Sequence, residues 1–112
     1  MLLRRKRFEM TKMARKAALL ETMISDFQRI AADLAQQIAA EEERTKIKDA
    51  GHFAYSTFAK ASSLRRSNLL ASVADLKTKL DVAKRELNEI TEQLHALELA
   101  HSDTPSPIDV AA

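Results

Sequence analysis

The chain has 112 residues, of which 30% are charged and 46% hydrophobic, and these values predict a single domain at most. It contains no cysteine, which excludes a disulfide framework and a thiolate metal site. No long apolar run is present, and the charged start MLLRRKRF lacks the apolar core of a signal peptide, so we expect neither a transmembrane helix nor a secretory signal.

Apolar residues in the first half of the chain recur at steps of three and four. This spacing keeps them on one side of a helix, and we call the resulting stripe the seam. The seam of the first helix consists of Leu3, Met10, Met13, Ala17, Leu20, Ile24, Phe27, Ala31, Leu34 and Ile38. No glycine or proline interrupts the pattern, which predicts a helix over residues 3–47. The only glycine, Gly51, is expected to terminate the helical region with a positive φ.

A second helix is predicted over residues 55–100, after a turn at residues 48–54, with Ser56 or Thr57 as its N-cap. Its seam consists of Leu69, Val73, Leu76, Leu80, Ala83, Leu87, Ile90, Leu94 and Leu97. Residues 101–112 contain both prolines and few side chains to bury, so we expect a disordered tail there.

The short connection between two long amphipathic helices favours an antiparallel coiled-coil hairpin, an all-α fold over residues 1–100. The charges support this direction, because residues 1–16 carry seven cations and one glutamate, whereas residues 86–112 carry six acids and no lysine or arginine. If residue numbers across the seam add up to about 100, Arg7 lies near Glu98. A register shifted by about seven residues also fits the heptads.

Apolar side chains outside the seam gather around the predicted turn. The cluster consists of Phe53, Tyr55, Phe58, Leu64 and Leu70, while Ala59, Ser62 and Arg66 occupy the seam beside it. Such a cluster forms either a small core that caps the tip of the hairpin or a surface for another protein.

No catalytic constellation emerges, so we expect neither an enzyme nor a bound cofactor. One glycine cannot build a phosphate-binding loop. His95 and His101 are six residues apart, a spacing that does not place two ligands on one helix face, and we expect no metal site. Glu41, Glu42 and Glu43 are expected to form an exposed acidic turn, because adjacent helical residues point in different directions.

The basic start followed by heptads also fits a basic region that feeds a zipper and binds nucleic acid. It lacks the asparagine with which such regions read base edges, and the acidic end of the chain can neutralise its charge. We therefore expect no nucleic-acid partner. A generic coiled-coil scaffold or chaperone that self-associates is the main alternative to the function implied below.

The stretch from Ile24 to Leu69 has the pattern ISDFxRxAADLxxxIAAEEExTxIxDxxHFAYxTxAKAxxxRRxNL. With the opening LLRRKRFEM, it resembles the FliJ family of flagellar type III export, most closely its alphaproteobacterial branch. The pattern is more specific than heptads because it includes the turn. Relatives usually continue in a charged helix where this chain reads TPSPIDVAA, and a proline is common among them at the position of Ser56.

The resemblance implies a cytoplasmic stalk, similar to the rotor stalk of F-type ATPases and peripheral to the inner membrane through the export apparatus. In that family the paired termini enter the ring of the hexameric export ATPase and promote its assembly and turnover. The family also links the ring to the cytoplasmic domain of the export gate, and escort of export chaperones is attributed to it. We therefore expect the ring contact at Arg4, Arg5, Arg7 and Arg15, and the gate contact at Phe53, Tyr55, Phe58 and Leu64.

Overall fold

The computed structural model describes residues 1–102, which form helix α1 over Leu2–Thr45 and helix α2 over Thr57–Ser102. The two helices contact each other and form a helical hairpin, which confirms the predicted all-α fold. Their observed ends differ from the predicted ones by one or two residues. Positions 101 and 102 are helical, whereas the rest of the predicted tail lies outside the described residues.

The hairpin is built from two compact units. The terminal unit combines Met1–Leu19 with the part of α2 that begins at Leu80, and the turn unit is the continuous stretch Leu20–Lys79. Each unit therefore contains a segment of both helices, so each has its own share of the seam between them.

The seam forms the core of both units. Its described members are all buried or half-buried, as the heptad spacing predicts. The buried apolar residues of the terminal unit are Ala17, Leu80, Ala83 and Leu94, and those of the turn unit are Leu20, Ile24, Ala31, Leu34, Ala59, Val73 and Leu76. Small alanines alternate with larger side chains along this core, so the helices approach closely at some layers.

Two contacts in the terminal unit show that the helices run antiparallel. The Arg7 Nε atom lies 3.6 Å from the Glu98 Oε1 atom, as the sequence predicts. Lys6, Gln93 and Leu97 line one groove, which agrees with the register in which residue numbers add up to about 100. The ion pair is exposed and contributes at most about 1 kcal/mol, so it selects direction and register more than it stabilises the fold.

Helix α1 ends differently from the prediction. Lys46 has a φ of 63°, and Gly51 does not have a positive φ. The Thr45 Oγ1 atom accepts a hydrogen bond of 3.3 Å from the backbone N–H of Ile47, which satisfies a donor just beyond the helix end. The chain therefore turns at a lysine five residues before the glycine, and the helix ends two residues earlier than expected.

Replacing Lys46 by glycine is expected to raise the free energy of unfolding by about 0.5–1 kcal/mol. The left-handed conformation of Lys46 is unfavourable by about 1–2 kcal/mol for a residue with a Cβ, and glycine removes this strain. Glycine also loses more conformational entropy on folding, which offsets part of the stabilisation. Urea unfolding followed by circular dichroism measures the change. Lys48→Gly is the matched control, since Lys48 has no positive φ and should lose about 0.4–1 kcal/mol. Equal destabilisation by both glycines would contradict the assignment.

Candidate partner-binding surfaces

Side chains of the turn bind the end of α1 through two carboxylates. The Tyr55 hydroxyl donates a hydrogen bond of 2.9 Å to the Glu42 Oε2 atom, and the Ser56 hydroxyl donates one of 2.9 Å to the Glu41 Oε1 atom. Ser56 Oγ also accepts a hydrogen bond of 3.1 Å from the backbone N–H of Ala59 and is therefore the N-cap of α2. Glu41 and Glu42 are half-buried acceptors, so the predicted exposed acidic turn is wrong for both.

These hydrogen bonds shift two pKa values in opposite directions. The Arg44 guanidinium, with help from the Ser56 hydroxyl, lowers the pKa of Glu41 below its ordinary value of 4.5. The bond from Tyr55 to the Glu42 carboxylate, together with partial burial, raises the pKa of the phenol above its ordinary value of 10.0. Both shifts favour the protonation states that keep the turn attached to α1 at neutral pH.

Tyr55→Phe is expected to reduce the slope with which the free energy of unfolding falls as the pH rises above 10. Because the folded pKa of Tyr55 is raised, its contribution is fully present below the unfolded pKa of 10.0 and is lost as the pH rises through the folded pKa. Urea unfolding at a series of pH values measures this slope. Tyr55 is the only tyrosine, so the difference between wild type and variant isolates its titration. If the free energy of unfolding falls with the same slope at alkaline pH in both proteins, the hydrogen bond from Tyr55 does not contribute to stability.

Three of the four residues expected to contact the gate are exposed in the turn region. Phe53 is 97% exposed, Phe58 is 53% exposed and Leu64 is 65% exposed, and we call these three residues the turn surface. This exposure rules out a small core that buries Phe53 and Phe58 at the tip. Tyr55, the fourth residue, is half-buried, and its hydroxyl donates to Glu42. It therefore holds the turn against α1 and is not one of the three exposed side chains.

The loop that carries Phe53 has an ordered backbone. The His52 N–H donates to the Asp49 carbonyl at 3.0 Å, and the Tyr55 N–H donates to the His52 carbonyl at 3.0 Å. The His52 Nδ1 atom accepts from the Ala54 N–H, while the imidazole stacks on the Phe53 ring with centroids 4.7 Å apart. Phe53 is therefore exposed on a structured loop, which reduces the entropy lost when it binds a partner.

The four arginines expected to contact the ATPase ring are all exposed in the terminal unit. Arg7 is paired with Glu98. Within residues 1–102, Arg4, Arg5 and Arg15 make no ion pair. Three of the four guanidinium groups are thus available to an acidic partner.

Sequence reasoning missed two exposed apolar side chains on the same helix. Phe8 is 71% exposed and Leu19 is 61% exposed, and neither belongs to the seam or to the cluster around the turn. The signal was present in the heptad pattern, because both residues occupy positions opposite the seam.

The described residues offer no metal centre and no membrane span. No group of three or more His, Asp or Glu side chains among residues 1–102 could hold a metal ion. Neither α1 nor α2, as far as the structure describes them, contains a stretch apolar enough to cross a bilayer. What these residues present is a helical hairpin with exposed apolar side chains in its turn region and exposed cations on α1.

Comparison of the chain with protein-family models, with curated proteins and with solved structures found no match.

Proposed function

We propose that the chain is a non-enzymatic coupling protein of flagellar type III export. It acts as a coiled-coil stalk that binds the hexameric export ATPase, stimulates its turnover and connects it to the cytoplasmic domain of the export gate. Export chaperones are further candidate partners. In this role the protein is cytoplasmic and peripheral to the inner membrane at the flagellar base.

One observation carries the proposal: the stretch whose sequence resembles the FliJ family lies within a single compact unit. Ile24 to Leu69 falls inside the turn unit, Leu20–Lys79, and includes the end of α1, the turn and the start of α2. The resemblance therefore includes the whole turn and the helical segments on both sides of it, rather than an arbitrary run of heptads. The exposed turn surface belongs to this same stretch, which supports a binding role for it.

The gate contact is tested by truncating the turn surface. Phe53→Ala, Phe58→Ala and Leu64→Ala, combined in one variant, are expected to weaken binding to the isolated cytoplasmic domain of the gate by at least about tenfold, because exposed aromatic anchors dominate such interfaces. Val82→Ala with Leu99→Ala is the control, since both side chains are exposed on α2 in the terminal unit. Unchanged gate binding in a variant of normal helicity would reject the turn surface as the contact.

The ring contact is tested by charge reversal. Arg4, Arg5, Arg7 and Arg15 are changed together to glutamate, and the turnover of the purified export ATPase is measured in the absence of lipid. We expect the stimulation to disappear, because desolvated cationic contacts depend on the sign of the charge. Lys60, Arg65, Arg66 and Lys77, all exposed in the turn unit, are reversed in the control. Full stimulation by the first variant would reject this contact.

The same assay separates the proposal from the self-associating scaffold. A stalk is expected to be a monomer in solution, because the seam is already filled by the second helix of the same chain. A stable parallel dimer without effect on ATPase turnover would instead support the scaffold. Analytical ultracentrifugation measures the oligomeric state at the concentrations used in the assay.

A further inference from the structure

A second heptad stripe runs along α1 on the side opposite the seam. It consists of Arg5, Phe8, Lys12, Arg15 and Leu19, at steps of three and four residues, and we call it the outer stripe. All five residues are exposed and all belong to the terminal unit. Because the spacing is regular, the five side chains lie on one straight line along the helix.

The cations of the outer stripe differ from their neighbours in their pairing. Lys6 binds Glu9 at 3.2 Å and Arg7 binds Glu98, and neither belongs to the stripe. Within residues 1–102, Arg5, Lys12 and Arg15 make no ion pair. Three unpaired cations of the terminal unit therefore share this line, and no acid belongs to it.

Two apolar side chains stand within the same line of charge. Phe8 and Leu19 project from the helix between and beyond the three cations, and Arg4 and Lys16 flank the line as further exposed cations. Isolated exposed leucines need no explanation, but an aromatic and a leucine in register with unpaired cations form an amphipathic surface. Nothing in the core requires these two side chains, because the seam lies on the other side of the helix.

The side of α2 opposite its seam carries fewer cations than the outer stripe. In the terminal unit its positions are Val82, Arg85, Glu89, Glu92, Ala96 and Leu99, all of them exposed. Since the two helices pack through their seams, their outer sides face in opposite directions. The terminal unit thus has one side with three cations and no acid and an opposite side with two acids and one arginine, a difference in charge that would orient it on a negatively charged plane.

We propose that the outer stripe binds the surface of a bilayer that contains anionic phospholipids. A straight line of cations with two apolar anchors fits a plane, since it needs no matching pocket and lets the long cationic side chains reach the headgroups while Phe8 and Leu19 enter the boundary of the acyl chains. The side of α2 that carries Glu89 and Glu92 then faces the solvent. This inference does not rest on the export role.

The test uses the full chain and sedimentation with two kinds of vesicle, phosphatidylcholine alone and phosphatidylcholine with about a third phosphatidylglycerol. We expect binding to the anionic vesicles only, and loss of most of it near 1 M salt, where charges are screened beyond about 3 Å. Binding to neither vesicle at low salt, or equal binding to both, would overturn the proposal.

Two variants with matched controls assign the binding to the stripe. Arg5→Gln, Lys12→Gln and Arg15→Gln together should reduce vesicle binding at least tenfold, because each cation near an anionic surface contributes about fivefold. Lys60→Gln, Arg65→Gln and Arg66→Gln remove the same charge from the turn unit and should change it less than about threefold. An equal loss in the two variants would show that net charge alone is responsible and would overturn the proposal.

The apolar anchors separate a bilayer from a purely electrostatic contact. Phe8→Ser with Leu19→Ser keeps every charge, and we expect a loss of at least about tenfold on anionic vesicles. Phe58→Ser with Leu64→Ser is the control in the turn unit and should bind as wild type does. If the wild type ignores vesicles while the stripe variants lose ATPase stimulation measured without lipid, the stripe is a protein interface and the lipid proposal is wrong. Vesicle binding without any ATPase effect would leave it standing and reject only the export role.

Discussion

Replacing Leu34 by alanine is expected to lower the free energy of unfolding by about 2–5 kcal/mol. Leu34 is only 5% exposed and lies in the seam of α1, within the turn unit. Its truncation removes apolar contacts and leaves a cavity between the helices, because two backbones held together along a seam cannot collapse around one missing side chain. Urea unfolding followed by circular dichroism, with the slope compared between proteins, measures the loss.

Leu64→Ala is the matched control, since Leu64 lies in the same unit but outside the seam and is largely exposed. Its truncation should change the free energy of unfolding by less than about 0.5 kcal/mol, as for most surface substitutions. Equal effects of the two truncations would show that burial does not follow the heptads. This control also bears on the gate contact. If Leu64→Ala leaves the stability unchanged, weaker gate binding by this substitution is not caused by unfolding.

Enlarging Ala59 to leucine is expected to cost about 1–3 kcal/mol. Ala59 has no exposed surface and stands in the first turns of α2, where the seam narrows to small residues. The added atoms have no space and must displace side chains or separate the helices, which is the usual effect of overpacking. Thermal unfolding should show the loss as a lower midpoint, and the N-cap at Ser56 should be disturbed with it.

Ala61→Leu isolates the steric effect of this change. Ala61 is exposed, two residues further along the same helix, and leucine and alanine both favour helices. We expect its unfolding midpoint to stay close to that of the wild type. If Ala59→Leu instead raised the unfolding midpoint, the turn unit would have space for the larger side chain beside α2, and the prediction of overpacking would be wrong.

The fold could be predicted from the sequence because the residue pattern that specifies it is local and periodic. Heptads in α1 and α2 select the buried side of each helix without any knowledge of the partner, and the described seam is buried or half-buried as predicted. The segregation of charge gave the direction, since Arg7 meets Glu98 in the observed pairing. Helix ends were less accessible, because Lys46 rather than Gly51 takes the left-handed conformation.

The candidate surfaces were only partly accessible. The sequence pointed to Phe53 and Phe58 as apolar bulk outside the seam, and it could not choose between a buried cap and an open surface. Their exposure depends on how the loop between the helices folds, which heptads do not describe. Phe8 and Leu19 lie outside the seam, so the pattern that predicts the core of α1 gives them no role, although their spacing is visible in the sequence.

By itself, the sequence determined two helices, their buried sides and their antiparallel order, because these follow from spacing and charge along the chain. Only the tertiary structure decided that Glu41 and Glu42 bind Ser56 and Tyr55, and that Tyr55 turns inward while Phe53 turns out. The reason is physical: these hydrogen bonds join residues 13 and 15 positions apart, and their geometry depends on the path of the turn, which no periodic pattern encodes.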